Sequence, residues 1–269
     1  LFYDLCNKLG LLVWQDFMFA CAYYPEHKPF LNNVTEEAAS VITRLRNHPS
    51  VAVLCGNNEI DWGHHLGNLD DSGRYTGKQI FHKTLPARAA ELAPDIPYIP
   101  STPYGNKKSF ASHTTLTLHN WDVWHGAKPL RSLNDKHNIP TFVTEFGLQS
   151  LPSMETIKTF CDTSCRPSSF EFEKHNYCIN GPSRLSGYIA ELFDPPRSLA
   201  DMAYLSQLAQ ARALQAYTET LRPAPRNSGI MFWQFNEPAP AISWSAADYL
   251  ASPKAIAHYA KRLYAPHFI

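Results

Sequence analysis

The chain has 269 residues, with 24 basic side chains against 24 acidic ones and a formal net charge of zero. That balance, without a cluster of Lys and Arg, argues against a nucleic-acid partner or a membrane-surface role. The longest apolar runs, such as Leu9 to Trp14, fall far short of the ~20 residues of a membrane helix.

Phe2, Leu5, Cys6 and Leu9 fall on one face of an amphipathic helix that Gly10 stops. The sequence thus opens inside an element and reads as a piece of a longer polypeptide. Leu11 to Trp14 is a short apolar run, followed by polar Gln15 and Asp16. Thr35 is placed to cap a helix with Glu36 and Glu37 in its first turn. Ala38, Val41, Ile42 and Leu45 give that helix an apolar stripe, and Pro49 ends it. Val51 to Cys55 predicts a strand running into Gly56-Asn57-Asn58-Glu59. A helical stretch interrupted by Pro86 covers about 77–92. Pro97 to Ser101 and Thr114 to His119 are further strand candidates, and Thr141 to Thr144 is a strand delivering Glu145. Ser198, with Asp201 as a capping-box-like partner, starts a long helix whose buried face takes Met202, Leu205, Leu208 and Tyr217. Ile230 to Trp233 is the last strand, and Ser252-Pro253 opens the final helix.

Six strands alternating with helices or long loops predict an α/β fold with a parallel sheet. The length suits most of a (β/α)8 barrel, which takes about 250 residues. Residues 153–197 fit this alternation least and read as an insertion or long loop. Cys6, Cys21 and Cys55 read as buried thiols. Cys161, Cys165 and Cys178 sit in a polar region where no second close pair or His spacing completes a zinc site.

The chemistry concentrates at predicted strand ends, where a barrel places its site. Glu59 and Glu145 both stand there, 86 residues apart (145 − 59) in the sequence, as do His119, Trp233, Trp14 and Asp16. Paired carboxyl groups roughly 5–5.5 Å apart are what a retaining glycosidase needs, one as acid and one as nucleophile. Trp14, Trp121 and Trp233 are either stacking faces for a sugar or plain core. Asp16 is either a ligand for sugar hydroxyls or a buried structural partner. His119 is either a hydrogen-bond partner of the nucleophile or a structural histidine.

The strings FYDLCNKLGLLVWQDFMFACAYYP, LRNHPSVAVLCGNNE, NWDVWHG, TFVTEFGLQSLPSMETI, YLSQLAQARAL and ISWSAADY resemble, nearly end to end, the β-mannosidase branch of glycoside hydrolase family 2. The resemblance implies about strands 3 to 8 of a (β/α)8 catalytic barrel, over residues 1–269. The family's sugar-binding N-terminal domains and first two barrel strands have no counterpart in the sequence. It implies Glu59 as general acid/base, protonated at rest beside an ionised neighbour, and Glu145 as nucleophile. Asn58, otherwise a turn residue, would meet the sugar 2-hydroxyl. The implied activity is retaining, exo-acting hydrolysis of terminal β-D-mannose from oligosaccharides or other β-mannosides, with no metal or nucleotide cofactor. Two strings depart from the family: WQFNEPAP, where WQLNDCWP is usual, brings Glu237 and Ala239, and TLTLHNW precedes and includes His119. These departures leave room for another family 2 β-glycosidase (β-galactosidase, β-glucuronidase or exo-glucosaminidase) or a non-catalytic glycan-binding remnant. Nothing in the sequence specifies a compartment.

Overall fold

The computed structural model describes residues 1–67, 74–105, 116–162, 166 and 169–267. It is α/β and falls into two compact units, Leu1–Leu118 and His119–Ile269. The described strands form two three-stranded sheets, neither closed on itself.

The first unit carries α1 (Phe2–Leu9), β1 (Val13–Asp16), α2 (Lys28–Leu45), β2 (Val51–Cys55), α3 (Ile60–Leu66), a π-helical turn (Ile80–Thr84), α4 (Leu85–Leu92) and β3 (Tyr98–Ile99). Its strands pair in parallel in the order β1-β2-β3, with Asp16 opposite Cys55 and Cys55 opposite Ile99. The turn into α4 answers the break expected at Pro86, which sits in the helix's first turn where its missing N–H costs no bond. Val34, Ala38, Ile42 and Leu45 on α2 pack with Leu54, Phe81, Leu85 and Ala89. Phe81 is wholly buried, and burying a ring of that kind stabilises the unit by about 1.5–3 kcal/mol.

Three expectations for this unit need correction. The second helix starts two turns before Thr35: His27 Nδ1 accepts the Phe30 N–H, and Pro29 presets the first turn. Thr35 therefore lies inside α2, its hydroxyl donating back to the Leu31 carbonyl at 2.7 Å, and Glu36 and Glu37 lie outside the first turn. Helix α1 ends at Gly10 with φ 68°, as expected, but only Cys6 on its apolar face is buried, with Phe2, Leu5 and Leu9 exposed. Cys55 is buried as expected, whereas Cys21 is exposed.

The chain passes into the second unit within β4 (Leu118–Asn120), which joins β5 (Phe142–Phe146) and β6 (Gly229–Ile230) in the order β4-β5-β6, the last two parallel. The predicted strand at 114–119 begins partly outside the described residues. The last strand stops at Ile230, so Trp233 lies beyond it. Helices α5 (Met154–Ile157), α6 (Phe170–Lys174) and α7 (Gly181–Ala190) occupy much of the 153–197 stretch. Their Ile157, Phe172, Leu185 and Ile189 belong to the same core as Val143 and Phe146 of β5. Helix α8 (Leu199–Leu221) opens as expected, with Ser198 Oγ accepting the Asp201 N–H at 3.0 Å. It packs on α7 and on α9 (Ala255–Leu263). Met202 and Tyr217 are buried on it, but Leu205 and Leu208 are only half-buried; Ala209, Ala213 and Leu214 fill the close contacts instead. The final helix is capped by Lys254 rather than Ser252, because Pro253 is engaged in a bridge with Ala247. Among the described residues, no helix is long and apolar enough to cross a membrane.

Candidate active site

In the first unit the site residues stand where β1 and β2 end. Trp14 and Asp16 meet each other: the indole N–H donates to Asp16 Oδ1 at 2.9 Å. Both side chains are half-buried. Cys55 lies opposite Asp16, and its thiol is pushed well up, first by burial and then by the Asp16 charge.

Beyond β2 the backbone is held by a fully buried asparagine that the sequence reading passed over. Asn57 Oδ1 accepts the Ile60 N–H at 3.0 Å and the Ser101 hydroxyl at 2.8 Å. Its amide donates to the Pro100 carbonyl at 2.9 Å and to Asp61 Oδ2 at 3.1 Å. Asn58 donates its backbone N–H to the Phe19 carbonyl at 2.9 Å, and its side-chain oxygen accepts from Thr102 at 3.3 Å. Glu59 then adopts φ 63° and ψ 5° as the residue capping α3. A β-carbon in that region costs about 1–2 kcal/mol, and such strain collects at functional positions. The Glu59 N–H donates to the Thr102 carbonyl at 2.7 Å, and the Cys21 thiol lies 3.7 Å from Glu59 Oε2.

In the second unit Glu145 lies on β5, and residues at and just beyond β4 converge on it. His119 Nδ1 is 3.4 Å from Glu145 Oε2, and the Trp121 indole N–H donates to the same oxygen at 3.3 Å. The His119 side chain is 1% exposed and that of Glu145 13%. Asn120, between His119 and Trp121, gives its amide to Tyr217 Oη of α8 at 2.7 Å, which ties the β4 end to the core.

Trp233 is 42% exposed, and its backbone N–H donates to the Phe146 carbonyl at 2.8 Å, next in sequence to Glu145. The sequence reading missed Trp244, which sits 6.0 Å from Trp121 in an edge-on contact and is 8% exposed. It also missed Gln210, whose amide donates to the carbonyls of Leu148 and Trp244, both at 2.8 Å. A glutamine pointing inward from an otherwise Ala- and Leu-rich helix face was the signal available for it. Glu237, one of the departures from the family strings, is buried and hydrogen-bonded to the Ser243 hydroxyl. Burial raises its carboxyl and the Ser243 bond opposes that, leaving it above the ordinary range. Cys161 is engaged in a disulfide, which removes it from any thiolate ligand set. Cys178 is a buried thiol, and Cys165 lies outside the described residues.

No protein-family model matches the chain. It is 30% identical to β-mannosidase B of Aspergillus flavus over 98% of this chain and 33% of that protein. It is 33% identical to β-mannosidase B of Thermothelomyces thermophilus over 98% of this chain and 34% of that protein. The chain therefore spans about a third of the length of the curated relatives it matches. Its fold superposes on the crystal structure of β-D-mannosidase from Dictyoglomus thermophilum with a TM-score of 0.92 and 40% identity, over 98% of this chain and 32% of that one. An exo-chitosanase from Amycolatopsis orientalis shares the fold at a TM-score of 0.70 and 17% identity, over 100% of this chain and 33% of that one. In sequence and in fold, the chain is similar over 98% of its length to about a third of these β-mannosidases.

Proposed function

We propose that this chain supplies the catalytic carboxyl groups of a retaining, exo-acting β-mannosidase, as about strands 3 to 8 of a (β/α)8 barrel, with residues 153–197 as an elaboration of it. The observation that carries the reading is the match over 98% of the chain to β-mannosidases at 30–40% identity. The Trp121 hydrogen bond to Glu145 and the nearby His119 ring support its part. Glu145 attacks the anomeric carbon of a terminal β-mannoside while Glu59 gives its proton to the departing oxygen, leaving a mannosyl ester on Glu145. Glu59 then takes a proton from water, which attacks the same carbon and frees mannose with its configuration retained. His119 and Trp121 hold the carboxylate of Glu145 through both steps. Asn58 meets the sugar 2-hydroxyl, and Trp14, Asp16 and Trp233 contact the rest of the ring. The substrate is a β-mannoside oligosaccharide or glycoside, and the further domains of the parent protein complete its binding site.

The test uses the intact parent protein with a panel of aryl β-glycosides. Aryl β-mannoside is expected to be cleaved in preference to the β-galactoside, β-glucuronide and β-glucosaminide, with β-mannose as the first anomer seen by NMR. Glu145→Ala should abolish turnover with an unchanged circular dichroism spectrum. Glu59→Ala should lower kcat by about 10²–10⁴-fold for poor leaving groups. Full activity in Glu145→Ala, or preference for another glycoside, refutes the assignment.

A further inference from the structure

Close to Glu59 the first unit carries a set of rings that the mechanism above leaves unused. Tyr23 Oη and His64 Nδ1 are 2.7 Å apart. His64 stacks on Tyr75 with centroids 4.7 Å apart and planes 30° from parallel, and Tyr23 lies 6.0 Å from Tyr75 at 33°. All three side chains are half-buried. The core rings of the same unit, Phe17, Phe19 and Phe81, are no more than 9% exposed. The three rings are therefore less deeply buried than the core rings, with Lys78 Nζ lying 5.9 Å over the Tyr75 ring.

They are also anchored from below. Tyr75 Oη donates to Asp61 Oδ2 at 2.7 Å, and His82 Nε2 lies 2.7 Å from Asp61 Oδ1. Asp61 is buried; burial alone would raise its carboxyl, but the hydrogen bonds from His82 and Tyr75 outweigh this and hold it below the ordinary range. A ring whose hydroxyl is tied to a buried carboxylate has little freedom left to lose when a ligand arrives, which is the economy of a preformed platform.

Position along the chain links the rings to the acid. Glu59 caps α3, and His64 lies five residues further on, about 7.5 Å along the helix axis. The neighbouring loop keeps step: Cys21 faces Glu59 and Tyr23, two residues on, faces His64. A general acid protonates the leaving oxygen, so the sugar that departs lies on its side of the bond. We infer that Tyr23, His64 and Tyr75 form the leaving-group subsite, a platform for the sugar released when Glu59 gives up its proton. Rings with an apolar face and a polar tip suit a pyranose, which presents C–H bonds on its face and hydroxyls at its rim. The inference deepens the proposed function and rests on it.

The test compares two substrates in the intact protein: a β-linked mannobiose, whose leaving sugar reaches the rings, and β-mannosyl fluoride, whose leaving group does not. In Tyr23→Ala the ratio of the two kcat/KM values, mannobiose over fluoride, should fall by about fivefold to tenfold. His64→Ala should repeat the fall from an independent position, and Tyr23→Phe, which keeps the ring, should recover most of it. A ratio unchanged within about twofold in both alanine variants, or a parallel loss on both substrates, overturns the inference while leaving the glycosidase standing. If the unaltered protein cleaves neither substrate, the glycosidase reading fails and this inference falls with it.

Discussion

Gly147, two residues beyond Glu145, offers a sharp test of how the second unit is packed. A β-carbon added there would stand 2.3 Å from the Trp233 carbonyl oxygen and 3.3 Å from Trp244 Cδ1. Carbon–oxygen contacts ordinarily close at roughly 3.3 Å, so one backbone must retreat by about 1 Å. The Trp233 backbone cannot swing aside as a side chain would, because its N–H is held by the Phe146 carbonyl. Overpacking of this sort costs about 1–3 kcal/mol, and alanine returns about 0.4–1 kcal/mol by stiffening the unfolded chain. Gly147→Ala should therefore destabilise the protein by about 1–2 kcal/mol. Gly187, exposed in α7 with nothing within 4 Å of an added β-carbon, is the internal control. Gly187→Ala should stabilise by about 0.5–1 kcal/mol through helix propensity alone. Urea unfolding of the intact protein, followed by tryptophan fluorescence, should show the two midpoints moving in opposite directions at constant m-value. A displaced Trp233 should also cost about tenfold to a hundredfold in kcat/KM. The packing argument is refuted if Gly147→Ala unfolds at or above the wild-type midpoint while Gly187→Ala behaves as expected.

Lys254 is wholly buried, and burial pulls its ammonium from an ordinary 10.5 to about 8, against the attraction of Glu237 and Asp248. The folded state thus releases this proton before the unfolded state does, so stability should rise with pH between about 8 and 10.5, by up to about 3 kcal/mol from this group. Lys254→Met should flatten that rise in urea titrations at stepped pH, and an equal slope in the variant would refute the assignment. Gln210→Leu keeps the bulk but leaves the Leu148 carbonyl and the Ser150 hydroxyl without the partner they have on α8. It should destabilise by about 1–3 kcal/mol; a change below about 0.5 kcal/mol in the same assay would show that the network does not hold the segment after Glu145.

Much of this architecture was legible because its signals are local. The five-residue strand Val51–Cys55 and the Ser198 cap of α8 each follow from a few neighbouring residues and appear where expected. Where the reading slipped, a distant or competing partner had decided the outcome. Thr35 is a good capping residue, but His27 and Pro29 start the helix first, and a threonine caught inside a helix simply bonds backwards to Leu31. Ser252-Pro253 has the form of a helix start, yet the bridge from Pro253 to Ala247 delays α9 until Lys254. Cys21 looked buried because its segment is apolar; the turn that carries it, at φ 48°, brings the thiol out beside Glu59. Trp121 could be suspected from its neighbours His119 and Asn120, but its bond to Glu145 spans 24 residues and only folding reveals it.

The two glutamates share one constructional logic, and it lies in the residues beside them. Glu59 occupies a backbone region that its own β-carbon disfavours. It is kept there by Asn57, which bonds to Ile60 ahead of it and to Pro100 and Ser101 across the sheet, and by the Thr102 carbonyl on its own N–H. Each buried bond of this kind contributes about 0.5–1.5 kcal/mol, so the four together, about 2–6 kcal/mol, offset a strain of about 1–2 kcal/mol. The segment after Glu145 is held in the same manner. Gln210 joins Leu148 and Ser150 to Trp244, and Lys254 donates to the Ser243 carbonyl at 3.2 Å and the Ser150 carbonyl at 3.5 Å. In both places uncharged or buried side chains fix the backbone beside the glutamate, Asn57 from two residues before Glu59, and Gln210 and Lys254 from much later in the chain than Glu145. Asn57 and Gln210 are therefore the positions at which a substitution should disturb the geometry of a carboxyl group without touching its charge.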